Sequence, residues 1–390
     1  MDASTLSTAI HRHIDEVACG EWNRLDQGGV PFLRHEFLAA LEHTGAVSRA
    51  TGWTPAHVTV RSGGELVGAL PLYEKSHSWG EFVFDFSWAE AYRRYGERYY
   101  PKLVAATPFT PATGPRFLVR PGADPLRVRQ ALLAGALGRA PCSSLHVQFT
   151  TRAESEWLAT AGFLPRVDCQ FQWQNAGYAD FDAFLAGFTA EKRKKAKRER
   201  RRVAEAGIRF AWRAGHELEP AEWRAVHALK SATFHRHGHE PYLGVDCFLE
   251  LSRTPACEPL VLLATADAAL VAVAIFFRGA DTLYGRYWGA AGEHHSLHFE
   301  ACYYQGIEYC IGAGLARFEP GTQGEHKIAR GFAPTLTYSA HHIADPRFRA
   351  AIGRFLDEER AAVAAYAAET ERHVPFRADA RPLELPAEPS

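Results

Sequence analysis

The segment of residues 318–332 holds a cluster of side chains that can transfer a proton or bind an anion. Glu319 ends a predicted strand, where its carboxylate could act as a base, and His326 titrates near neutral pH. Lys327 and Arg330 are cations that could hold an anionic group. We therefore predict that Glu319 and His326 are catalytic and that Lys327 and Arg330 bind substrate.

Two glycines in this segment, Gly321 and Gly324, let the backbone approach a ligand closely. Gln323 lies between them, and we predict that it also contacts substrate. The alternative interpretation is a loop whose charges pair with one another, because ion-pair networks also occur away from active sites.

A predicted helix that begins at Leu297 is expected to face this segment. Glu300 and Tyr304 share one stripe of the helix with two isoleucines, so Glu300 falls on a mostly apolar face. A carboxylate there needs a partner. In a structural role, Glu300 would pair with Lys327 or Arg330. In a functional role, its partner would be the amine of a substrate. We predict Glu300 as a third catalytic residue and Tyr304 as a substrate-binding residue.

The run from Arg286 to Ala291 matches the pattern Arg/Gln-x-x-Gly-x-Gly/Ala, with which GNAT acetyltransferases bind the pyrophosphate of acetyl-CoA. Backbone N–H groups at a strand-to-helix turn suit such an anion. The match predicts that Arg286 and Gly289 bind the cofactor and that Trp288 contacts substrate, although six-residue patterns also arise by chance.

Histidines cluster in several places without forming a convincing metal site. His294 and His298 have the spacing of a helical metal pair, and residues 298–300 superficially match the His-x-Glu of zinc deaminases. The Pro-Cys-x-x-Cys that this chemistry requires downstream is absent from the sequence. We predict no metal.

Nine of the eleven residues between 192 and 202 are basic, and they surround a predicted helix. One interpretation is a solvated helix whose charges repel one another. The other is a surface for phosphates, such as tRNA, a nucleotide-linked cell-wall precursor or a CoA moiety. The predicted polyanion-binding residues are Lys194, Lys195, Arg198 and Arg201.

The chain contains one structural pattern twice. A Gly-Phe-x-Pro turn opens a period-two strand at Gly162 and again at Gly331, and residues 65–73 resemble residues 269–277. We predict a first domain over 1–174 with a long insertion at about 79–125, a second domain over 175–373 that carries the active site, and a flexible tail over 374–390. Each strand that follows a Gly-Phe-x-Pro turn is expected to close the sheet of its own copy.

Composition restricts the class of protein. With 390 residues, 47% hydrophobic and 23% charged, the chain is globular and long enough for two domains. Its seven cysteines include no Cys-x-x-Cys pair, and its net charge of −1 argues against a globally basic nucleic-acid-binding surface. Without a signal peptide or an apolar run of about 20 residues, a cytoplasmic protein with no membrane span is expected.

Two stretches, residues 298–308 and 319–334, resemble the signatures of the bacterial Fem-like family of peptidoglycan biosynthesis or recognition proteins. The resemblance extends from about Pro31 to about Glu359. Lys327 ahead of Gly331 is similar to the Phe-Lys-x-Gly-Phe element of Fem proteins, but His326 replaces the first Phe and the spacing is longer. The family is similar to Fem-type peptidyltransferases, which transfer amino acids from aminoacyl-tRNA to a cell-wall precursor.

The resemblance implies an α/β (α+β) fold with two tandem GNAT-like domains facing each other across a cleft, each a mixed, mainly antiparallel sheet flanked by helices. It implies an amide-forming transferase that uses acyl-CoA or aminoacyl-tRNA as donor and a small-molecule or peptide amine as acceptor, with no tightly bound cofactor. Helix 192–202 would contact the tRNA. The alternative is a module of the same fold that binds cell-wall fragments or RNA without turnover. The oligomeric state is left open.

Overall fold

The computed structural model describes residues 5–139, 142–322 and 324–380. Contacts divide the chain into two compact units, and each unit combines two separate pieces of sequence. The first unit contains the described residues of Met1–Asp168 and Thr337–Ala364. The second contains those of Cys169–Leu336 and Ala365–Pro389.

Both units combine strands with helices. The strands are β1 (Leu6–His11), β2 (Trp53–Pro55), β3 (His57–Ser62), β4 (Glu65–Leu70), β5 (Leu72–Lys75), β6 (Lys102–Ala105), β7 (Leu118–Val119), β8 (Ser144–Thr150), β9 (Leu164–Gln174), β10 (Arg209–Ala214), β11 (Pro259–Ala266), β12 (Ala269–Arg278), β13 (Thr282–Ala290), β14 (Arg317–Glu319) and β15 (Ala333–Ile343). The helices are α1 (Cys19–Trp22), α2 (His35–His43), α3 (Phe86–Arg94), α4 (Pro125–Leu137), α5 (Arg152–Thr160), α6 (Phe181–Ala186), α7 (Ala190–Glu205), α8 (Pro220–Arg236), α9 (Val245–Leu251), α10 (Leu297–Phe299), α11 (Gln305–Ala313) and α12 (Pro346–Glu371).

Local sequence explains where several helices begin. Pro125 occupies the first turn of α4, where its missing N–H costs nothing, and the Asp124 carboxylate accepts the N–H groups of Leu126 and Arg127. The Thr151 hydroxyl caps α5 in the same way by accepting the N–H of Glu154. These caps satisfy N–H groups that a helix leaves without an internal partner.

The two units repeat the same strand order. In the second unit, neighbouring strands follow the order β10-β11-β12-β13-β14-β9. In the first unit, β1, β3 and β4 are paired in series, β4 leads through Pro71 into β5, and β5, β6, β8 and β15 continue the series. β6 and β8 are parallel, as are β13 and β14, whereas the other pairs are antiparallel. The predicted match of residues 65–73 with 269–277 therefore joins equivalent strands.

The closing strands are exchanged between the copies, so the prediction that each closes the sheet of its own copy is wrong. Tyr338 and Ala340 of β15 pair with β8 in the first unit. Trp173 and Gln174 of β9 pair with β14 in the second unit. A period-two pattern shows which face of a strand is buried but does not identify its partner. The predicted boundaries at 1–174 and 175–373 do not include this exchange.

Part of the predicted insertion at 79–125 belongs to the sheet, because β6 pairs with both β5 and β8. Its four residues lie close to Pro101 and Pro108, and a strand this short gives little periodic signal. The predicted tail over 374–390 begins too early: Val374 and Phe376 are buried in the core of the second unit, and 381–390 lies outside the described residues.

The first unit buries a network of charged groups. Lys102 is fully buried, and its Nζ lies 2.9 Å from Glu81 Oε2 and 2.5 Å from Asp85 Oδ2. Burial opposes the charge of Lys102, but the charges of Glu81 and Asp85 outweigh burial and raise the pKa of Lys102. The Tyr99 hydroxyl also donates to Asp85, at 2.6 Å. This network is a structural centre of the first unit.

Candidate functional site

A small cavity of about 60 Å³ lies where β13 continues past the end of β14 in the second unit. The two strands are paired in parallel through Tyr284 and Glu319, and β13 then runs on to Ala290. The cavity lining includes Gly285 and Arg286 of β13, Pro320 directly after β14, and His298, Cys302 and Tyr303 from the helical segment that follows β13. Polar side chains and space for a ligand therefore occur together at this point of the second unit.

A π-helical turn places the helical residues at the cavity. Residues Glu300–Tyr304 form π-helix between α10 and α11. Such turns insert one extra residue and are frequent at functional sites. The extra residue shifts the phase of the helix, so Tyr303 lines the cavity although the regular spacing predicted Tyr304. Burial raises the pKa of the Cys302 thiol, which keeps it protonated.

The backbone of β13 is irregular at Arg286. Phe276 pairs with Gly285 and Ile275 pairs with Tyr287, so Arg286 is the extra residue of a bulge. Its Nη1 donates to the Gly285 carbonyl at 3.0 Å, and its guanidinium carbon lies 5.1 Å from the Tyr284 ring centre. The buried carboxylate of Glu319 interacts electrostatically with Arg286. Arg286, predicted to bind a cofactor, therefore lines the cavity with Glu319 close by.

The predicted polar segment forms a short 3-10 helix over Glu325–Arg330. Lys327 is fully buried, and its Nζ donates to the Gly321 carbonyl at 2.6 Å. Burial lowers the pKa of Lys327 to about 7, so its charged and neutral forms coexist near neutral pH. His326 is exposed and lies beside the π-helix, with its Nε2 2.7 Å from the Tyr303 hydroxyl.

Arg330 is held inside the second unit by an acid that the sequence analysis missed. Its Nη2 donates to Glu199 Oε1 at 2.8 Å and its Nε to Glu199 Oε2 at 3.2 Å. The Tyr304 hydroxyl donates to the same Oε2 at 2.6 Å. Arg330 and Tyr304, both predicted to bind substrate, are thus tied to Glu199. The spacing of Ala196, Glu199 and Val203 along one buried face of α7 is the signal that could have revealed this acid.

Glu300 has a different partner from those expected. Arg200 Nε lies 3.1 Å from Glu300 Oε1 and 3.2 Å from Oε2, and the Gln305 amide donates to Oε1 at 2.8 Å. The structural partner is therefore Arg200 and not Lys327 or Arg330. Burial raises the pKa of Glu300 against the opposing effect of Arg200.

Gly289 is explained by packing. A Cβ atom at this position would lie 2.3 Å from the backbone carbon of Leu229, so the absence of a side chain lets α8 pack directly on β13. Trp288, predicted to contact substrate, is half-buried with its ring centre 5.4 Å from that of His298. Neither observation assigns a ligand contact, and both roles stay predictions.

The outer face of α7 carries the predicted basic residues. Lys194, Lys195, Arg198 and Arg201 are all exposed, and Arg201 Nε lies 3.5 Å from Glu205 Oε1. The opposite face holds Glu199 and packs into the second unit. The helix therefore combines a charged outer surface with a buried structural face.

Other predictions fall outside what the structure describes or concern absences. Gln323 lies outside the described residues. Within the described part of the chain, no group of three or more His, Cys, Asp or Glu side chains is arranged to hold a metal ion. Over the same residues, none of the helices combines the length and apolar character that crossing a membrane requires.

The mixed sheets and flanking helices define an α/β protein with a duplicated strand order. A model of the FemAB-like family, described as peptidoglycan biosynthesis/recognition, matches residues 13–378, and the chain belongs to this family. The predicted family is confirmed, as is the predicted α/β fold with two copies of a mixed, mainly antiparallel sheet flanked by helices. No curated protein matches the chain.

Several solved structures are similar to the chain at low sequence identity. A tandem GNAT protein from the clavulanic acid biosynthesis pathway is 15% identical and matches over 88% of this chain and 99% of its own, with a TM-score of 0.48. FemX is 12% identical, and the match covers 78% of this chain and 92% of FemX, with a TM-score of 0.48. L-PGS from Bacillus licheniformis is 10% identical, and the match covers 84% of this chain and 92% of L-PGS, with a TM-score of 0.47.

Proposed function

We propose that this protein transfers an acyl or aminoacyl group from an activated donor to a primary amine and so forms an amide bond. The observation that carries the proposal is the cavity beside Arg286, at the point where β13 and β14 part. Membership of a family described by peptidoglycan biosynthesis/recognition supports a cell-wall precursor as the source of the amine.

The first unit supports the placement of the reaction in the second. Near the equivalent point, just beyond the paired Ala105 and Val147, the fully buried Arg116 bonds to backbone carbonyls. Its Nε donates to the Gln148 carbonyl at 2.8 Å and its Nη2 to the Ala112 carbonyl at 2.7 Å. In the second unit, the cavity lies at this point, and its lining includes Arg286, His298 and Tyr303, whose side chains can bind an anion or transfer a proton.

The charges near the cavity suit acyl transfer. Attack by an amine places negative charge on the carbonyl oxygen of the donor, and a cation in a buried site stabilises such charge strongly. Arg286 lines the cavity, and the buried Lys327 interacts electrostatically with both Arg286 and Cys302. We propose that Arg286 and Lys327 stabilise this oxygen or the donor's phosphates. The predicted role of Glu319 as base stays a prediction, as does that of Glu300.

The donor is an acyl-CoA or an aminoacyl-tRNA, and both carry phosphates that the exposed face of α7 can attract. Replacing Lys194, Lys195, Arg198 and Arg201 by Glu should weaken binding of aminoacyl-tRNA and reduce the dependence of its affinity on salt concentration. Filter binding at several salt concentrations measures both effects. A matched variant with Arg209, Arg224, Arg236 and Arg253 replaced by Glu carries the same change in net charge elsewhere on the second unit, and these four arginines are exposed.

The control variant should keep most of the affinity for RNA. If both variants weaken binding equally, the effect is one of net charge and α7 is no specific surface. If neither variant weakens binding, the basic residues of α7 are merely solvated, and acyl-CoA becomes the favoured donor. The reaction itself is tested by supplying each donor with an amine-bearing cell-wall precursor and measuring the amide product.

A further inference from the structure

We infer that Tyr303 and His326 form a proton relay that carries the proton of the attacking amine from the cavity to solvent. The inference rests on the proposed function and adds the path of the proton to it. Tyr303, which lines the cavity, is the catalytic residue, and His326 acts through Tyr303.

The geometry of the pair suits a relay. The Tyr303 hydroxyl oxygen lies 2.7 Å from His326 Nε2, which is the distance of a good hydrogen bond. Tyr303 is only 3% exposed, whereas His326 belongs to the exposed residues. The hydrogen bond therefore connects a buried hydroxyl at the cavity with an imidazole that can exchange protons with water.

Neighbouring residues hold the imidazole in place. The Arg330 Nη1 donates to the His326 carbonyl at 2.6 Å, and Glu199 in turn holds Arg330. A Cβ atom on Gly324 would lie 2.1 Å from the His326 ring, and Gly324 has a φ of +108°. Any other residue at 324 would thus be strained and would displace the ring. This requirement gives Gly324 a purpose that does not involve ligand contact.

The proton balance of the reaction follows from this arrangement. The amine nitrogen forms a bond to the acyl carbon, and the bond from that carbon to the donor's sulfur or oxygen breaks. The amine proton passes to the Tyr303 oxygen as the Tyr303 hydroxyl proton passes to His326 Nε2. The imidazolium then releases a proton to water, and the departing sulfur or oxygen takes one up. One proton has moved from nitrogen to the leaving atom, and no other reactant is needed.

The charged and titratable groups around His326 favour its neutral form. Partial desolvation of the ring, on the side that contacts Tyr303, and then the charges of Lys327 and Arg330 lower the pKa of His326 below its ordinary value. On the side of the π-helix, His326 contacts the Tyr303 hydroxyl. The ring centre of His298 on α10 lies 5.8 Å from the ring centre of His326. On its other flank, Glu325 accepts a hydrogen bond from Tyr366 of α12 at 2.9 Å. A neutral imidazole at pH 7 is ready to accept the Tyr303 proton.

His298 also lines the cavity but is a weaker candidate for this role. Burial, followed by the charges of His326, Arg330 and Lys327, lowers the pKa of His298 to about 4. An imidazole with so low a pKa binds a proton poorly and has little driving force as a base at neutral pH. The exposed His326 also has the direct path to water that a relay requires.

Two variants test the relay in the transfer reaction with aminoacyl-tRNA or acetyl-CoA and an amine-bearing cell-wall precursor. Tyr303→Phe keeps the ring but removes the hydroxyl, and His326→Ala removes the imidazole. Each should lower kcat by about 100-fold or more, the usual contribution of general acid–base catalysis, with little change in donor affinity. The decline of kcat at acidic pH, caused by protonation of His326, should be absent from both variants. Because His326 is exposed, added imidazole should restore activity to His326→Ala but not to Tyr303→Phe.

Tyr304→Phe is the matched control, because it removes a buried hydroxyl from the neighbouring residue, which donates to Glu199 instead of a histidine. It should keep the acidic decline of kcat that both relay variants lose. If Tyr303→Phe also keeps that decline and a normal kcat, the relay is wrong while the proposed function stands. If imidazole fails to restore His326→Ala, His326 has only a structural role and the relay is again wrong. If the wild-type protein forms no amide from either donor, the proposed function fails and the relay with it.

Discussion

Replacing Glu199 by Ala is expected to lower the free energy of unfolding by about 3–5 kcal/mol, the usual cost of removing one partner of a buried ion pair. Arg330 is 3% exposed, and its guanidinium would be left buried without its carboxylate partner. The Tyr304 hydroxyl would lose its acceptor as well. Chemical denaturation followed by circular dichroism measures the change.

Glu205→Ala is the control for this prediction, because it removes an exposed acid from the same helix. Glu205 forms an ion pair with the exposed Arg201, and a surface pair contributes about 0–1 kcal/mol. The double variant Glu199→Ala/Arg330→Met should be more stable than Glu199→Ala alone, because it removes the uncompensated charge. Equal stabilities of the Glu199→Ala and Glu205→Ala variants would contradict the structural role of Glu199.

Replacing Lys102 by Met should destabilise the first unit to a similar extent, about 3–5 kcal/mol. The change leaves the carboxylates of Glu81 and Asp85 buried next to each other without the ammonium that lies between them. Burial works against the charge of Asp85, but Lys102 outweighs it and lowers the pKa of Asp85 to about 2. Thermal unfolding monitored by tryptophan fluorescence reports the loss.

Lys75→Met provides a close control, since Lys75 pairs in register with Lys102 on the next strand and is also fully buried. Its Nζ donates to the Trp79 carbonyl at 3.1 Å and lies 3.7 Å from the centre of the Trp53 ring. Burial lowers the pKa of Lys75 to about 7, so the fold already disfavours its charge. Lys75→Met should therefore cost much less than Lys102→Met, and the reverse order would refute the proposed role of the Lys102 network.

Much of the fold follows from local patterns in the sequence. The Gly-Phe-x-Pro turns at Gly162 and Gly331 mark equivalent strands, and the match of residues 65–73 with 269–277 joins β4 and β5 to β12. The exchange of β9 and β15 could not be predicted in this way, because alternation of polar and apolar residues shows a strand's buried face and not its neighbour.

The candidate site was found in part. The sequence predicted the segment of residues 318–332 and Arg286. In the structure, Arg286 and Pro320 line the cavity, and His326 contacts Tyr303, which also lines it. Tyr303 was missed because the prediction assumed regular α-helical spacing, which the π-helical turn over Glu300–Tyr304 breaks. Glu199 was missed because nine basic neighbours made the helix resemble a surface element. Burial of an acid in that position depends on tertiary contacts.

The transfer reaction of the wild-type protein tests the central claim most directly. Radiolabelled glycyl-tRNA and acetyl-CoA would be supplied in separate reactions with a nucleotide-linked cell-wall peptide that carries a free side-chain amine, and products would be identified by mass spectrometry. We expect one donor to give a peptide whose amine has become an amide, with no such product when the amine is blocked beforehand. Binding of the peptide and of both donors without any amide product would contradict the account and identify a binding protein.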